Sequence, residues 1–436
     1  MTRRVAFISE HASPVALLGG QDAGGQNVYI DRLSRGLAAL GWPVDVFTRR
    51  DDADAPEVID WAPSVRVVNL PVGPARIVPK DELWPLMPAF REAMWAFIAR
   101  DGADYALLHG NFWMSGWVAV EVGARLERPV VQIFHATGVT KRREQGDADT
   151  SPAGRIAVER DVVRRADRII AQCPAERDEL LADYAAEAAK IALIPSGIDA
   201  DLFAPVDRVE ARRAIGLPDD RPVIVYVGRM LPRKDVRNVV RALALLRDQI
   251  DGGHLPGPAP RLLLVGGETR DPDPAQTPEI GELQRLASLL GVRELVRFAG
   301  RRQPRELKHY YGAGDIAVTT PWYEPFGLTP LEGMACGRPV VGSAVGGIAF
   351  TIAAGETGLL VPPRDPEALA TAFATLLADP SMRERMGRAA RARVLAEFTW
   401  PLVAERTAHL YDALLTERAL MRVPAAAGAS WEGAFA

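Results

Sequence analysis

Two cations follow an apolar run in the second half of the chain. Arg229 comes directly after PVIVYVG, and Lys234 closes the segment GRMLPRK. The run predicts a buried strand, and the spacing after Lys234 predicts a helix. A cation at a strand end and another at a helix start can converge on one anion, and phosphate binds readily at helix N-termini. Two solvated surface charges are the alternative, since most lysines and arginines are exposed.

Two carboxylates stand near each other farther along. Glu324 and Glu332 have seven residues between them in EPFGLTPLE, the first in a loop after IAVTT and the second on the first turns of a helix. A carboxylate there can be a structural cap, because the helix dipole stabilises it. It can also accept hydrogen bonds from two vicinal hydroxyls, as ribose recognition requires. Gly327, Gly346 and Gly347 would let a ligand pass close to backbone amides.

A glycine-rich loop precedes the first predicted helix, in GGQDAGGQNVYIDRL at positions 19–33. The glycines do not follow G-x-G-x-x-G, and the loop is too long for the tight turn of a dinucleotide site. A structural loop and a phosphate or sugar site are both open on this evidence. His135 ends the apolar run PVVQIFH. A lone histidine at a strand end is more often structural than functional.

Buried-strand candidates and helical spacing alternate along the whole chain, which predicts an α/β fold of two doubly wound, Rossmann-like domains facing a central cleft. The expected boundaries are 1–200, 201–400, a helix at 401–420 that packs back on the first domain, and a tail at 421–436 that we expect to be disordered. Positions 251–260 are expected to be a surface loop. Ligands bind beyond the carboxyl ends of parallel strands, so the cleft is the expected site.

Composition narrows the function class. The 436 residues are 48% hydrophobic and 25% charged with a net charge of −4, which favours a globular protein and no nucleic-acid partner. Cys173 and Cys336 are the two cysteines, so neither a disulfide framework nor a cysteine-rich zinc site is expected. The start MTRRVAFISE is too short for a signal-peptide core. We expect a cytoplasmic protein, with peripheral membrane contact and oligomeric state left open.

The two glutamates, the cation pair and the loop DAGGQNVY, in this order, resemble the retaining GT-B glycosyltransferases of family 4, or group 1, over about residues 5–400. Within that family the motifs are similar to those of sucrose-phosphate synthases and of the inositol-phosphate N-acetylglucosaminyltransferases of mycothiol synthesis. The resemblance implies transfer of a sugar from a nucleotide diphosphate sugar to an acceptor hydroxyl, with retention at the anomeric carbon.

By that resemblance, the cations hold the donor diphosphate, Glu332 binds the ribose, and Glu324 and His135 face the donor sugar. Backbone amides of the glycine pair would lie against the diphosphate. The implied catalytic residues are His135, Arg229, Lys234 and Glu324. The implied donor-binding residues are Gly24, Gly25, Arg229, Lys234, Glu324, Phe326, Gly327, Leu328 and Glu332. A UDP-sugar is the expected donor, with GDP- and ADP-sugars open, and no metal or other cofactor is expected.

The resemblance identifies the acceptor-binding residues less completely than the donor-binding ones. Lys80, Arg155 and Gln26 match residues that contact phosphorylated acceptors or their sugars in the two enzyme groups. Phe112 and Ala136, however, stand where the mycothiol enzyme has a tyrosine hydroxyl and a threonine. A sugar-phosphate acceptor and a neutral or lipid-linked sugar therefore both stay open.

One residue departs from the family pattern, and two other functions are compatible with parts of the sequence. Asp235 replaces the glycine that usually follows the lysine; it could cap its helix or point at the phosphates and weaken donor binding. An NAD-dependent oxidoreductase would need the tight fingerprint that the glycine loop lacks. A non-catalytic nucleotide-sugar-binding protein would keep the phosphate and ribose residues while losing His135 or the glycine pair.

Overall fold

The computed structural model describes residues 3–15 and 24–422. Within these ranges the strands form two sheets, one of eight strands and one of six, each flanked by helices. The predictions for positions 16–23 of the glycine loop and for the tail from position 423 onward lie outside the described residues.

The first sheet has the strand order β3-β4-β2-β1-β5-β6-β7-β8. Its strands are β1 Val5–Ile8, β2 Val44–Arg49, β3 Val58–Ala62, β4 Val65–Leu70, β5 Leu107–Asn111, β6 Val130–Ile133, β7 Arg168–Ala171 and β8 Ile191–Leu193. Its helices are α1 Gly25–Ala39, α2 Met87–Asp101, α3 Trp113–Leu126, α4 Gly138–Gln145, α5 Arg155–Arg165 and α6 Pro174–Tyr184. The central strands β1, β2 and β5 are fully buried, as helices on both faces of a parallel sheet require.

The second sheet has the order β11-β10-β9-β12-β13-β14, and its strands pair in parallel. Its strands are β9 Val223–Val227, β10 Arg261–Val265, β11 Val296–Gly300, β12 Ile316–Thr319, β13 Val340–Ser343 and β14 Gly358–Val361. The helices that follow β8 are α7 Arg208–Ala214, α8 Val236–Asp251, α9 Pro278–Leu289, α10 Pro304–Ala313, α11 Leu328–Ala335, α12 Gly346–Thr351, α13 Pro366–Ala378, α14 Pro380–Glu397 and α15 Trp400–Arg422.

The last helix returns to the first sheet. A Cβ added to Gly36 of α1 would lie 2.7 Å from the Cβ of Ala404, so α1 and α15 pack at close range. Tyr411 is fully buried and hydrogen-bonds to the ring Nδ1 of His109 on β5. We call the first sheet with its helices the first unit and the second sheet with its helices the second unit. Helix α14 instead packs on α11 of the second unit. The chain therefore crosses between the two units twice, near residue 200 and again just before α15.

Every apolar run that predicted a strand forms one. The structure adds β3, which pairs antiparallel with β4 at the sheet edge and is half-exposed. Because β3 is an edge strand that contains polar residues, its sequence has no continuous apolar run, and the strand was not predicted. The segment at 252–260 connects α8 to β10 and is mostly exposed, as a surface loop should be.

Candidate active site

The carboxyl ends of β9 and β12, which are neighbours in the second sheet, bring the predicted donor cations and one glutamate together. Arg229 lies two residues beyond β9 and is exposed, and a single 3-10 turn, Pro232–Lys234, leads on to α8. Glu324 lies in the loop between β12 and α11. Ligands of parallel α/β sheets bind at this edge, so these side chains occupy the expected place.

Lys234 and Glu324 form a direct ion pair at this edge, and the two side chains are 14% and 15% exposed. Burial lowers the pKa of Lys234, and the Glu324 carboxylate opposes that change. For Glu324, burial acts to raise the pKa, but the charges of Lys234 and Arg233 hold it below its ordinary value. Glu324 is therefore ionised at neutral pH.

Glycines hold the Glu324 loop in place. The amide of Gly347 donates to the carbonyl of Glu324 over 3.1 Å. A Cβ on Gly346, where φ is +43°, would lie 2.2 Å from that same carbonyl oxygen, so any other residue would displace the loop. Gly327, with φ +84°, caps the start of α11, while Phe326 is buried against Phe398. Gly327 and Phe326, which were predicted to bind the donor, therefore also have structural roles.

Glu332 lies on α11 and accepts a 2.8 Å hydrogen bond from the hydroxyl of Tyr311 on α10. Burial raises the pKa of Glu332 to about 7, and the tyrosine hydroxyl offsets part of the rise. The predicted ribose-binding carboxylate is thus partnered by a residue that sequence reasoning missed. Tyr311 reads as an ordinary core aromatic of an amphipathic helix, which gave no signal of its role.

Asp235 occupies the N-cap position of α8 and lies outside the Lys234 pair. It is 7% exposed and adopts a left-handed conformation with φ +49°. Burial raises its pKa, and Trp322, Arg241, the backbone amide of Asn238 and Arg364 offset part of that rise. The left-handed φ explains why glycine suits this position, since glycine adopts it without a steric cost.

The first sheet contributes His135 at the carboxyl end of β6. Its φ is +59°, an uncommon value for a residue with a Cβ, and its Nε2 is buried with no hydrogen-bond partner among the described residues. Burial lowers the pKa of His135 to about 3, so the imidazole is neutral. The ring of Tyr29 on α1 packs edge-on against it at 4.9 Å between centroids. A neutral imidazole can hydrogen-bond a sugar hydroxyl.

The two glycines of the loop differ in their surroundings. Among the described residues, a Cβ on Gly24 would meet no atom within 4 Å, whereas one on Gly25 would lie 3.4 Å from Cδ1 of Leu328. Gly25, the first residue of α1, therefore lies close to the second unit.

The predicted acceptor cations meet at one aromatic ring. The ammonium of Lys80 lies 5.9 Å from the centroid of Phe112, and the guanidinium carbon of Arg155 lies 5.0 Å from it. Arg155 is only 2% exposed, and it donates to Glu159 over 2.8 Å and to the carbonyl of Ala136 over 2.5 Å. The structure thus places Arg155 at the start of α5, buried beside Phe112, while Lys80 is half-buried.

Two further residues line the same strand ends. The side-chain amide of Gln26 donates to the backbone carbonyl of Asn111 over 3.3 Å, at the end of β5. His11, which follows β1, packs its ring edge-on against Phe112 at 5.1 Å and pairs its Nδ1 with the buried carboxylate of Glu10 over 2.8 Å. Sequence reasoning missed His11; the signal available was its place just after the first buried strand.

Contacts across the cleft end on the Glu324 loop. Gln145 of α4 donates to the hydroxyl of Tyr323 over 2.6 Å, and Cys173 lies 3.3 Å from the carbonyl of Pro325, to which its thiol donates. Residues on either side of Glu324 therefore contact the first unit, and the loop that carries the glutamate is a junction between the two.

Within residues 3–15 and 24–422, no cluster of three histidine, cysteine or carboxylate side chains could hold a metal ion. The same residues contain no helix long and apolar enough to cross a membrane.

Comparison with known proteins gives two family matches that together span most of the chain. Residues 23–202 match Glycosyltransferase Family 4, and residues 207–393 match Glycosyl transferases group 1. The chain is 38% identical over 434 residues to the D-inositol 3-phosphate glycosyltransferase of Kineococcus radiotolerans, covering 96% of this chain and 97% of that protein. It is 37% identical to the protein of the same name from Acidothermus cellulolyticus, covering 95% and 91%.

A solved structure shares the whole fold. Sucrose-phosphate synthase from Thermosynechococcus elongatus superposes with a TM-score of 0.83 at 37% identity, covering 95% of this chain and 99% of that one. The resemblance inferred from the motifs is confirmed, and the oxidoreductase and the non-catalytic binding protein no longer apply. The chain belongs to the retaining GT-B glycosyltransferases of family 4 and is a glycosyltransferase that uses a nucleotide-sugar donor.

Proposed function

We propose that this enzyme transfers a sugar from a UDP-sugar to a hydroxyl of a small phosphorylated acceptor, a sugar phosphate or an inositol phosphate. The observation that carries the proposal is the convergence of Lys80 and Arg155 on Phe112, at the carboxyl end of β5. Two cations at one ring are suited to a phosphate, because charge-assisted hydrogen bonds to phosphate are about twice as strong as neutral ones.

The names of the relatives support the same acceptor class. The two proteins compared above act on D-inositol 3-phosphate by name, and the solved neighbour is a sucrose-phosphate synthase. Phe112 and Ala136 offer no side-chain hydroxyl to the phosphate. We therefore assign the direct phosphate contact to Lys80, while Arg155, paired with Glu159, packs beside Phe112.

The donor would lie along the second sheet. Arg229 and Lys234 would hold the diphosphate, Glu332 the ribose, and Glu324 and His135 the sugar. A cleft of about 270 Å³ lined by Glu268, Arg270, Arg301 and Gln303 lies beyond β10 and β11 and has room for the base. We take that base to be uracil because a UDP-sugar is the donor expected from the family resemblance.

Each residue then has a chemical task in the retaining reaction. As the glycosidic bond to the diphosphate breaks, negative charge grows on the leaving oxygen, and Arg229 and Lys234 stabilise it, each by about 3–4 kcal/mol if it acts like other preorganised donors. That oxygen can accept the proton of the acceptor hydroxyl on the same face of the sugar. Glu324 is paired with Lys234, so it serves to bind the sugar and not to attack it.

The proposal is tested by an acceptor screen against UDP-sugars, with release of UDP as the readout. Turnover is expected with phosphorylated acceptors, and Lys80→Ala should raise the acceptor KM by about 10-fold or more while the donor KM holds. Lys190→Ala, which removes a lysine paired with Glu187 at 3.2 Å elsewhere on the first unit, is the matched control. Turnover confined to unphosphorylated sugars would refute the acceptor assignment.

We also infer that the enzyme works in a reducing compartment such as the cytoplasm. Cys173 and Cys336 are both buried and unpaired, which fits such a compartment.

A further inference from the structure

A third cation stands beside the Lys234 and Glu324 pair. Nη1 of Arg233 lies 3.9 Å from Oε2 of Glu324, the same oxygen that Lys234 contacts. That Nη1 is buried and has no hydrogen-bond partner among the described residues. Buried guanidinium nitrogens normally have partners, so an unsatisfied one next to a carboxylate calls for an explanation.

Arg233 is held in this position from two sides. Its guanidinium lies over the ring of Tyr323, with the carbon 5.4 Å from the ring centroid. Its backbone carbonyl accepts a 3.0 Å hydrogen bond from the amide of Trp322. The residues just before Glu324 thus fix both the backbone and the side chain of Arg233, and the cation is preorganised beside the carboxylate.

Binding of the donor changes what Lys234 must do. On the proposed function, on which this inference rests, the ammonium of Lys234 contacts the diphosphate. The N–H groups of Lys234 then point away from Glu324, whose carboxylate is largely buried. A buried carboxylate without a partner is costly, because its hydration has been lost without replacement.

We propose that Arg233 is a positioning residue that takes over Glu324 when Lys234 turns to the diphosphate. A shift of about 1 Å would bring Nη1 within hydrogen-bond distance of Oε2. Arg233 then keeps Glu324 charged and oriented toward the hydroxyls of the donor sugar. Its effect reaches the sugar only through Glu324, and not through the nucleotide.

This assignment separates Arg233 from its neighbour. Removing Lys234 weakens the hold on the diphosphate itself, and so it weakens UDP and a UDP-sugar alike. Removing Arg233 leaves the diphosphate contacts in place and disturbs the carboxylate that reads the sugar. The ratio of the two dissociation constants is therefore the diagnostic quantity.

The test measures the Kd of UDP, UDP-glucose and UDP-N-acetylglucosamine by calorimetry on the full chain. Arg233→Met removes the charge and keeps the stem, Arg233→Lys restores a charge, and Arg241→Met is the control on the exposed face of α8. We expect Arg233→Met to leave the Kd of UDP within 2-fold and to raise that of the better-bound UDP-sugar by about 10-fold. Arg233→Lys should recover part of the loss, and Arg241→Met should match the wild type.

The same measurements in the Glu324→Gln background complete the test. There the carboxylate is neutral, so adding Arg233→Met should change sugar binding by less than 2-fold. Equal weakening of UDP and UDP-sugar by Arg233→Met, no weakening of either, or an undiminished effect in the Glu324→Gln background would each overturn the inference. A wild-type protein that binds none of the UDP-sugars would instead contradict the proposed function.

Discussion

Tyr311 and Glu332 share a 2.8 Å hydrogen bond between α10 and α11, and that bond affects when the proposed ribose-binding carboxylate is charged. Burial raises the pKa of Glu332 to about 7, while the hydroxyl of Tyr311 donates to the carboxylate and favours its ionised form. The charge of Glu332 therefore changes in the neutral range, where an exposed glutamate would be fully ionised.

Nucleotide affinity should follow this titration. A protonated carboxyl accepts hydrogen bonds less well, so the Kd of UDP should rise as the pH falls below about 7. Tyr311→Phe removes the bond that favours ionisation, and it should move the midpoint to higher pH. Binding measured from pH 6 to 8.5 in both proteins checks this, with Glu332→Gln as the reference for every other titrating group. A wild-type profile identical to that of Glu332→Gln would rule out the role of this carboxylate.

Arg229→Ala and Lys234→Ala should each lower kcat by a factor on the order of 100 or more, because both cations act on charge that develops as the leaving group departs. The fold should persist, as judged by the thermal transition. Arg385→Ala is a suitable control, since that side chain is 62% exposed on α14. Near-normal turnover in both active-site variants would contradict the proposal that these cations stabilise the leaving group.

Asp235→Gly should raise thermal stability without weakening donor binding. Glycine relieves the left-handed backbone, which costs about 1 kcal/mol for a residue with a Cβ, and it removes a buried carboxyl. Asp235→Ala removes the same carboxyl but keeps the strained conformation, so the expected order of melting temperatures places Gly above Ala. If the glycine variant binds UDP markedly more tightly than the wild type, Asp235 faces the diphosphate after all.

Much of this architecture follows from residue patterns, and the exceptions have physical causes. The apolar runs predicted every strand except β3, because edge strands need not be continuously apolar. The motif residues of the second unit were predicted to share one site, and Arg229, Lys234 and Glu324 do lie together. What the patterns could not show is pairing across long separations: Lys234 and Glu324 are 90 positions apart in the sequence, and such a contact depends on strand order.

The acceptor side shows the same limit. Arg155 is the first residue of α5, and Glu159, four residues later on the same helix, draws its guanidinium inward. That pairing is visible in the sequence as an i,i+4 spacing, although burial is not. No role was predicted for Arg233, because the neighbouring Lys234 already accounted for the cation of this motif. Only the geometry shows that both side chains lie near one carboxylate.

Activity should not depend on a divalent metal. Arg229 and Lys234 supply the positive charge that a metal ion would otherwise bring to the diphosphate, so a chelator such as EDTA should leave the initial rate unchanged. The rate is measured before and after exhaustive chelation, and again after adding magnesium or manganese. Activity lost in EDTA and restored by either metal would point to a metal-assisted leaving group instead.

The most direct test of the whole account is to characterise the products of the purified enzyme with a UDP-sugar and a phosphorylated acceptor. Release of UDP is followed by chromatography, the conjugate by mass spectrometry, and its anomeric configuration by proton NMR. We predict one UDP per glycosylated sugar phosphate or inositol phosphate, with the configuration of the donor sugar retained. A product of inverted configuration, or UDP release that requires an unphosphorylated acceptor, would contradict the account.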